Sequence, residues 1–68
     1  MRHKNKLRKI RFDQQLTQDD LFIITNIWPA KISRIERGVF RPTSKEKKLL
    51  SKALKTSIYK IFPEEEKV

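Results

Sequence analysis

Residues 16–38 read LTQDDLFIITNIWPAKISRIERG, and this stretch decides the fold. Thr17 is a favoured N-cap residue, and Asp20 three residues later completes a capping box, so a helix is predicted to begin here. Asn26 tolerates the left-handed conformation in which many helices end. Pro29 fits the first turn of the next helix because its missing N–H would have no partner there. The stretch therefore predicts two helices of about eight residues, separated by a turn of three or four residues.

Similar signals on both sides of this stretch predict three more helices. Upstream, apolar residues spaced i, i+3 predict a helix over about residues 5–14. Gly38, the chain's only glycine, ends the third helix, and Thr43 starts the fourth with a second Thr-x-x-acid box. Ser57 caps a short fifth helix that Pro63 closes. One glycine is too few for the tight hairpins of a β-sheet, so we predict an all-α protein of five helices.

The length and the cysteine count restrict the architecture. The chain of 68 residues is predicted to form a single domain over residues 1–63, followed by an acidic tail at residues 64–68. Without a cysteine it has neither a disulfide nor a thiolate metal site, which is usual for a protein of the cytoplasm. The longest apolar run, residues 21–24, is far shorter than the ~18 residues that indicate a membrane span, so no membrane partner is expected.

The charge favours a polyanionic partner. Seventeen Lys and Arg residues oppose eight Asp and Glu residues, which gives a formal net charge of +9. A field of this strength most often attracts phosphate polyanions such as nucleic acid. An enzyme is not expected, because the only histidine is His3 and the chain has no paired carboxylates beside a base and no phosphate-binding glycine loop. We likewise expect no metal, no cofactor and no small-molecule ligand.

Two blocks of the quoted stretch resemble a known helix-turn-helix. Residues 16–21 (LTQDDL) and residues 32–38 (ISRIERG), at the spacing found here, resemble the Xre/Cro family of DNA-binding proteins, the lambda-repressor-like domains. The resemblance covers about residues 7–62. It implies a compact five-helix bundle in which helices 2 and 3 form the helix-turn-helix. The helix at about residues 29–37 is then expected to read the major groove of double-stranded DNA in a sequence-specific manner.

The resemblance also implies a biological role. It predicts a transcriptional regulator, specifically a repressor, that works in the cytoplasm at the nucleoid. The expected assembly is a homodimer on an inverted repeat, with the two recognition helices about 34 Å apart, one turn of DNA.

The family pattern assigns roles to individual residues of this chain. Base contacts are expected from Pro29, Ala30 and Arg34, with Lys31 near a base or the sugar-phosphate wall. Arg34 is the main candidate, because a guanidinium can donate to both acceptors of guanine. Phosphate contacts are expected from the remaining polar and cationic residues around the motif: Gln18, Arg37, Arg41 and Lys45. Arg11 and Glu36 are expected to form a partly buried structural ion pair rather than a DNA contact.

Phe22 and Trp28 depart from the family pattern. Phe22 stands where a small residue is usual, so its ring is expected to widen the helix crossing or to turn aside into a neighbouring cavity. Trp28 replaces the usual serine before the recognition helix. Its indole N–H could reach a phosphate, which makes Trp28 a further phosphate candidate. Packing of Trp28 on Phe22 is the alternative.

Four apolar residues predict a dimer or partner surface. Ile23 and Ile24 occupy outward positions that are polar in the family, Phe40 follows the third helix, and Tyr59 lies in the last helix. A contiguous group of exposed apolar side chains would indicate a protein interface. The alternative for the isoleucines is that one of them folds back onto helix 1 beside Phe12.

Two functions other than gene regulation stay open. The first is a protein-interaction or antitoxin-like module that keeps this fold and holds a partner on the surface of Phe22, Ile23, Ile24 and Trp28. The second is non-specific coating of nucleic acid by charge alone, which would show a steep salt dependence and no preferred sequence.

Overall fold

The structure, a computed structural model, describes residues 4–63, and these residues form five α-helices and no strand. The helices are α1 (Leu7–Asp13), α2 (Gln18–Thr25), α3 (Pro29–Glu36), α4 (Ser44–Leu54) and α5 (Ile58–Ile61). The prediction of a compact all-α protein with five helices is confirmed. The acidic tail predicted at residues 64–68 and the single histidine at position 3 lie outside the described residues.

Side-chain caps fix where three of the helices begin. At α2 the Oγ1 of Thr17 accepts the N–H of Asp20 at 3.0 Å, and Oδ2 of Asp20 accepts the N–H of Thr17 at 2.8 Å. Thr43 and Glu46 repeat this reciprocal box at α4, at 3.2 and 2.9 Å. Ser57 accepts from the first turn of α5. Each cap satisfies backbone donors that have no partner inside the helix, and all three were predicted.

The first helix is shorter at both ends than the predicted residues 5–14. Asn5 stands before the helix, where its Oδ1 accepts the N–H of Leu7 at 3.0 Å. Its Nδ2 donates to the carbonyl oxygen of Ile35 at 2.8 Å, which ties the start of α1 to α3. At the other end Gln15 takes a positive φ of 59°, which stops the helix.

Four of the residues that the structure describes have a positive φ, and two of them were predicted as helix ends. Asn26 ends α2 at φ 63°, and Gly38 follows α3 at φ 76°. The other two, Gln15 and Lys55 at φ 59° and 52°, carry no sequence signal for this conformation. A side chain with a Cβ is normally disfavoured in this region, so the packing around these two turns must hold them there.

The core is one cluster to which every helix contributes. Its buried apolar members are Leu7, Leu21, Ile27, Ile32, Ile35, Leu50, Leu54, Ile61 and Phe62. α2 packs against both α3 and α4, while α1 packs on α3 and α5 on α4. None of the helices within residues 4–63 is long and apolar enough to cross a membrane. The core thus holds α2 and α3 together as a pair and leaves one side of α3 exposed among residues 4–63.

Candidate nucleic-acid interface

α3 has one buried side and one exposed side. Ile32 and Ile35 are fully buried in the core. On the opposite side Ala30, Arg34 and Arg37 are exposed, and their i, i+4, i+7 spacing places them in one row along the helix. We call this row the α3 stripe. It offers one small side chain and two guanidinium groups to solvent.

Arg34 occupies the middle of the α3 stripe. None of the ion pairs among residues 4–63 involves Arg34. Its five N–H donors are therefore not committed to a carboxylate of this part of the chain. Ala30, one turn earlier, presents a methyl group, and Pro29 is half-buried at the first position of the helix. Of the predicted base-contact residues, Ala30 and Arg34 lie together on the exposed side.

Lys31 lies on a flank of α3 that faces α4. Its Nζ is 2.5 Å from Oε2 of Glu46 and 4.8 Å from the centroid of the Phe40 ring. The lysine is half-buried, and the glutamate is mostly buried. The ammonium is thus engaged inside the molecule, beside the α3 stripe rather than on it. A base contact from Lys31 stays a prediction.

Glu46 has two partners at once. Its Oε1 accepts the N–H of Thr43 in the capping box, while Oε2 pairs with Lys31. Burial alone would raise the pKa of the Glu46 carboxyl. The hydrogen bonds from Lys31 and Thr43 and the charge of Lys31 together lower this pKa by more than burial raises it, so the pKa lies below its usual value. The ionised form of Glu46 therefore links α3 to the start of α4.

Arg11 and Glu36 form a buried ion pair behind the α3 stripe. Nε of Arg11 donates to Oε2 of Glu36 at 2.6 Å, and Nη2 donates to Oε1 at 3.2 Å. The two side chains are only 6% and 4% exposed. Nη1 of Arg11 donates to the carbonyl oxygen of Leu16, and Nε2 of Gln18 donates to Oε1 of Glu36 at 3.2 Å. This bidentate geometry is the strong form of an arginine–carboxylate contact, and it joins α1, α2 and α3.

One predicted phosphate candidate, Arg37, belongs to the α3 stripe, and the others lie on neighbouring segments of the chain. Gln18 uses one amide hydrogen on Glu36 and retains a second. Arg41 and Lys45 are exposed in the loop after α3 and at the start of α4. Arg37 is exposed at the end of α3, where its Nε lies 3.4 Å from the carbonyl oxygen of Ser33. Their contacts with phosphate stay predictions.

Trp28 stacks on Phe22 and remains exposed. The ring centroids are 4.9 Å apart with an interplanar angle of 22°, and Trp28 is 68% exposed. Phe22 is half-buried, so its ring turns towards the α2–α3 turn and packs against Trp28. An offset stack of this kind holds the indole against one side of the turn while its other face is open to solvent.

The residues predicted as a partner surface separate into different environments. Ile23 and Ile24 on α2 are 78% and 56% exposed. Phe12 is also more than half exposed and lies under the guanidinium groups of Arg8 and Arg11, so the alternative in which an isoleucine covers it gains no support. The other two differ from each other: Phe40 is packed against the core, and Tyr59 is exposed on α5.

Three residues in or beside α3 were not assigned a site role from the sequence. Glu46 holds Lys31, whereas Arg8 and Ser33 line a pocket with Arg37 on the opposite flank of the helix. Helical spacing could have identified two of them. Arg8 precedes Arg11 by one turn and Ser33 precedes Arg37 by one turn, so each pair lies on the same face of the chain. Nothing in the local sequence connects Glu46 with Lys31. Within residues 4–63 no cluster of His, Cys, Asp and Glu could hold a metal ion.

Removing one member of the buried pair should be costly. Arg11→Met leaves the charge of Glu36 buried without a partner and should cost about 3–5 kcal/mol of unfolding free energy. That is comparable with the whole stability of ~3–5 kcal/mol usual for so small a core. The double variant Arg11→Met/Glu36→Leu should be more stable than Arg11→Met alone, because no buried charge remains. Urea unfolding followed by circular dichroism measures both. A double variant less stable than the single one would contradict this account.

The Lys31–Glu46 link should give a stability difference that depends on pH. Glu46→Gln keeps an acceptor for Thr43 but removes the charge, so it should lose about 0.2–1 kcal/mol near pH 7. Because the folded pKa of Glu46 is lowered, the contribution is complete above its ordinary value of 4.5 and disappears as the pH falls through the folded value. The measurement is the free energy of unfolding of the wild type and of Glu46→Gln at pH 7 and at about pH 3. If the two proteins differ by the same free energy at both pH values, the link is refuted.

Comparisons with known proteins give no family assignment. No family model matches the chain, and no curated protein matches its sequence. The resemblance to the Xre/Cro family therefore rests on the motif residues alone and stays a prediction.

Proposed function

We propose that this protein is a sequence-specific, double-stranded DNA-binding regulator of transcription, with α2 and α3 as its helix-turn-helix. The observation that carries the proposal is the α3 stripe. Two guanidinium groups and a methyl group stand in one exposed row, and the opposite side of the same helix is held in the core by Ile32 and Ile35. A helix with one anchored side and one exposed cationic side has the form of a recognition helix.

The dimensions of α3 fit a major groove. A helix with its side chains is about 10–12 Å wide, and the groove of B-DNA is about 12 Å wide. The eight residues of α3 extend over about 12 Å, which corresponds to three or four base pairs. Arg34 would then donate to O6 and N7 of a guanine, and the methyl group of Ala30 would lie against a thymine methyl. Glu46 holds the ammonium of Lys31 on the flank of α3, so Lys31 would lie at the sugar-phosphate wall of the groove.

Phosphate contacts supply most of the affinity in this proposal. The candidates are Gln18, Trp28, Arg41 and Lys45, together with Arg37 at the end of the α3 stripe. Each phosphate neutralised by a cation should change the slope of log affinity against log salt by about −0.9. Such contacts orient the protein on the duplex without reading sequence, which leaves specificity to the stripe.

The size of the domain suits a homodimer on an inverted repeat. The molecule extends over 31 × 22 × 21 Å, so two copies side by side can place their recognition helices about 34 Å apart, one turn of DNA. The proposed mode is repression, and the proposed place of action is the DNA of the nucleoid in the cytoplasm. Tyr59 is an exposed candidate for the contact between the copies, and Phe40 is a weaker one because it packs against the core.

Arg34 and Arg41 should lose different properties when replaced. On a duplex selected from a random pool, Arg34→Ala should cost ~1–3 kcal/mol and relax the preference at one base pair. Arg41→Ala, the matched control, should weaken the selected and the random duplex by the same factor. Gel-shift titrations on both duplexes measure the losses. If Arg34→Ala weakens both duplexes equally, Arg34 does not read a base.

A second function has its own observation. Ile23 and Ile24 on the outer side of α2 are exposed apolar side chains that DNA binding through the α3 stripe does not use. The open face of Trp28, which is also a phosphate candidate, is exposed as well. A protein partner, as in an antitoxin that also represses its own promoter, would bury such groups. Exposed apolar residues in one region are a usual mark of a protein interface.

Fluorescence of Trp28 separates the two functions. It is the only tryptophan, so its emission reports on the turn before α3. For a DNA-binding protein, mixed-sequence duplex should change the emission at low salt, and the change should require more duplex at high salt. Ile23→Lys should leave that titration unchanged or make it tighter. A wild type that binds no duplex at low salt, either by emission or in a gel shift, would favour the partner-binding function.

A further inference from the structure

The outer side of α2 combines negative charge with exposed apolar side chains. Asp19 and Asp20 lie in the first turn of the helix, and Ile23 and Ile24 each follow one of them by four residues. Residues four apart are neighbours on a helix surface, so the four side chains form two adjacent rows, which we call the α2 patch. Asp20 is half-buried and the other three are exposed. Because α2 contains no Lys or Arg, no cation of the same helix lies beside the patch.

No ion pair within residues 4–63 compensates the negative charge of the α2 patch. The other acidic side chains of this part of the chain each pair with a cation: Asp13, Glu36 and Glu46. Asp19 and Asp20 take part in none of these pairs. The hydrogen bond from the backbone N–H of Thr17 lowers the pKa of Asp20, so its carboxylate is ionised near neutral pH. In a chain with a net charge of +9, the α2 patch therefore repels polyanions and attracts cations.

A groove of about 430 Å³ between α1 and α5 has the opposite charge. Its cationic lining consists of Lys6, Lys9 and Lys60, and its apolar lining includes Ile10, Tyr59 and Pro63. Lys9 pairs with Asp13 at 3.2 Å on the surface, whereas Lys6 and Lys60 form no ion pair within residues 4–63. We call this feature the α1–α5 groove. It offers ammonium groups around an apolar surface, and no carboxylate lines it.

Backbone contacts hold the walls of the α1–α5 groove in place. The N–H of Lys6 donates to the carbonyl oxygen of Ile61 at 2.8 Å, which joins the start of α1 to α5. Nε2 of Gln14 donates to the carbonyl oxygen of Leu54 at 2.6 Å, which joins the other end of α1 to the end of α4. A groove that exists before binding costs less ordering entropy when it is filled.

The α2 patch and the α1–α5 groove complement each other, and one chain carries both. Carboxylates beside aliphatic side chains on α2 match ammonium groups beside an apolar surface in the groove. Complementary potentials of this kind select a partner and fix its register, while burial of the exposed apolar side chains favours association. Neither surface contains a member of the α3 stripe. The occupant that these charges favour is therefore a second copy of this chain, with the α3 stripe of each copy left open.

We propose that the α2 patch of one copy docks in the α1–α5 groove of a second copy. In a two-fold dimer this contact occurs twice, because each copy offers its patch to the groove of the other. Ile23 and Ile24 would pack on the apolar lining around Tyr59, with Asp19 and Asp20 beside the lysines. This contact deepens the homodimer of the proposed function, and only its role on DNA rests on that function.

Reversal of charge tests the contact without DNA. Asp19→Lys/Ile23→Lys changes the α2 patch, and Lys6→Glu/Lys60→Glu changes the α1–α5 groove. Each variant alone should dimerise at least about tenfold more weakly than the wild type, since both of its contacts join surfaces of like charge. An equimolar mixture of the two should dimerise more tightly than either alone, because one contact then joins an unchanged patch to an unchanged groove. Sedimentation equilibrium measures each dissociation constant.

A matched control separates the contact from net charge. Lys48→Glu/Lys52→Glu makes the same change of charge as the groove variant, at exposed positions of α4 that belong to neither surface. It should dimerise within about threefold of the wild type, and added salt should weaken the wild-type dimer because the contact is ionic. A wild type that stays monomeric, a variant of patch or groove that associates as the wild type does, or a mixture no tighter than its components would overturn the proposal.

Duplex binding shows whether the contact or the DNA-binding function fails. If the wild type dimerises as proposed but binds no duplex, the DNA-binding function fails and the contact stands. If Arg34→Ala loses base preference while the patch and groove variants associate as the wild type does, the contact is refuted and the DNA-binding function stands. If both hold, the patch variant should bind mixed-sequence duplex as single copies and lose cooperative binding on the selected inverted repeat. Circular dichroism of each variant verifies its fold.

Discussion

The contact between Arg11 and Glu36 sets the orientation of α3, and the candidate site depends on that orientation. One carboxylate receives donors from α1 and, through Gln18, from α2. Because Glu36 must face inward with Ile32 and Ile35, the helix cannot rotate about its axis without breaking the pair or exposing the core. A buried ion pair adds little net stability compared with apolar packing, and its value here is in fixing one arrangement of three helices.

Local rules account for the parts of the fold that the sequence predicts well. The capping boxes at Thr17 and Thr43, the left-handed Asn26 and the first-turn Pro29 each act within about one helical turn, where backbone and side chain decide the outcome together. The same short-range logic places the buried side of α3 and hence its exposed side. A single sequence is sufficient for such features because no distant partner is needed.

Contacts between distant segments account for what the sequence does not predict. Lys31 was expected near DNA from the family resemblance, and only the packing of α4 on the bundle brings Glu46 to its ammonium. Phe22 was recognised as too large for its position, but the stack on Trp28 that accommodates it depends on the path of the turn. The positive φ of Lys55 has no signal in the side chain and follows from how α4 meets α5.

The dual engagement of Glu46 has an energetic consequence for the edge of the candidate interface. A lysine that neutralises a phosphate releases cations condensed on the nucleic acid, and this release drives much of nucleic-acid association. Lys31 already neutralises Glu46, so moving its ammonium to a phosphate would leave that carboxylate without its partner and would offset part of this gain. Under the proposed function, the Lys31–Glu46 pair would therefore weaken indiscriminate attraction at one border of α3, and discrimination between sequences would depend more heavily on the guanidinium of Arg34.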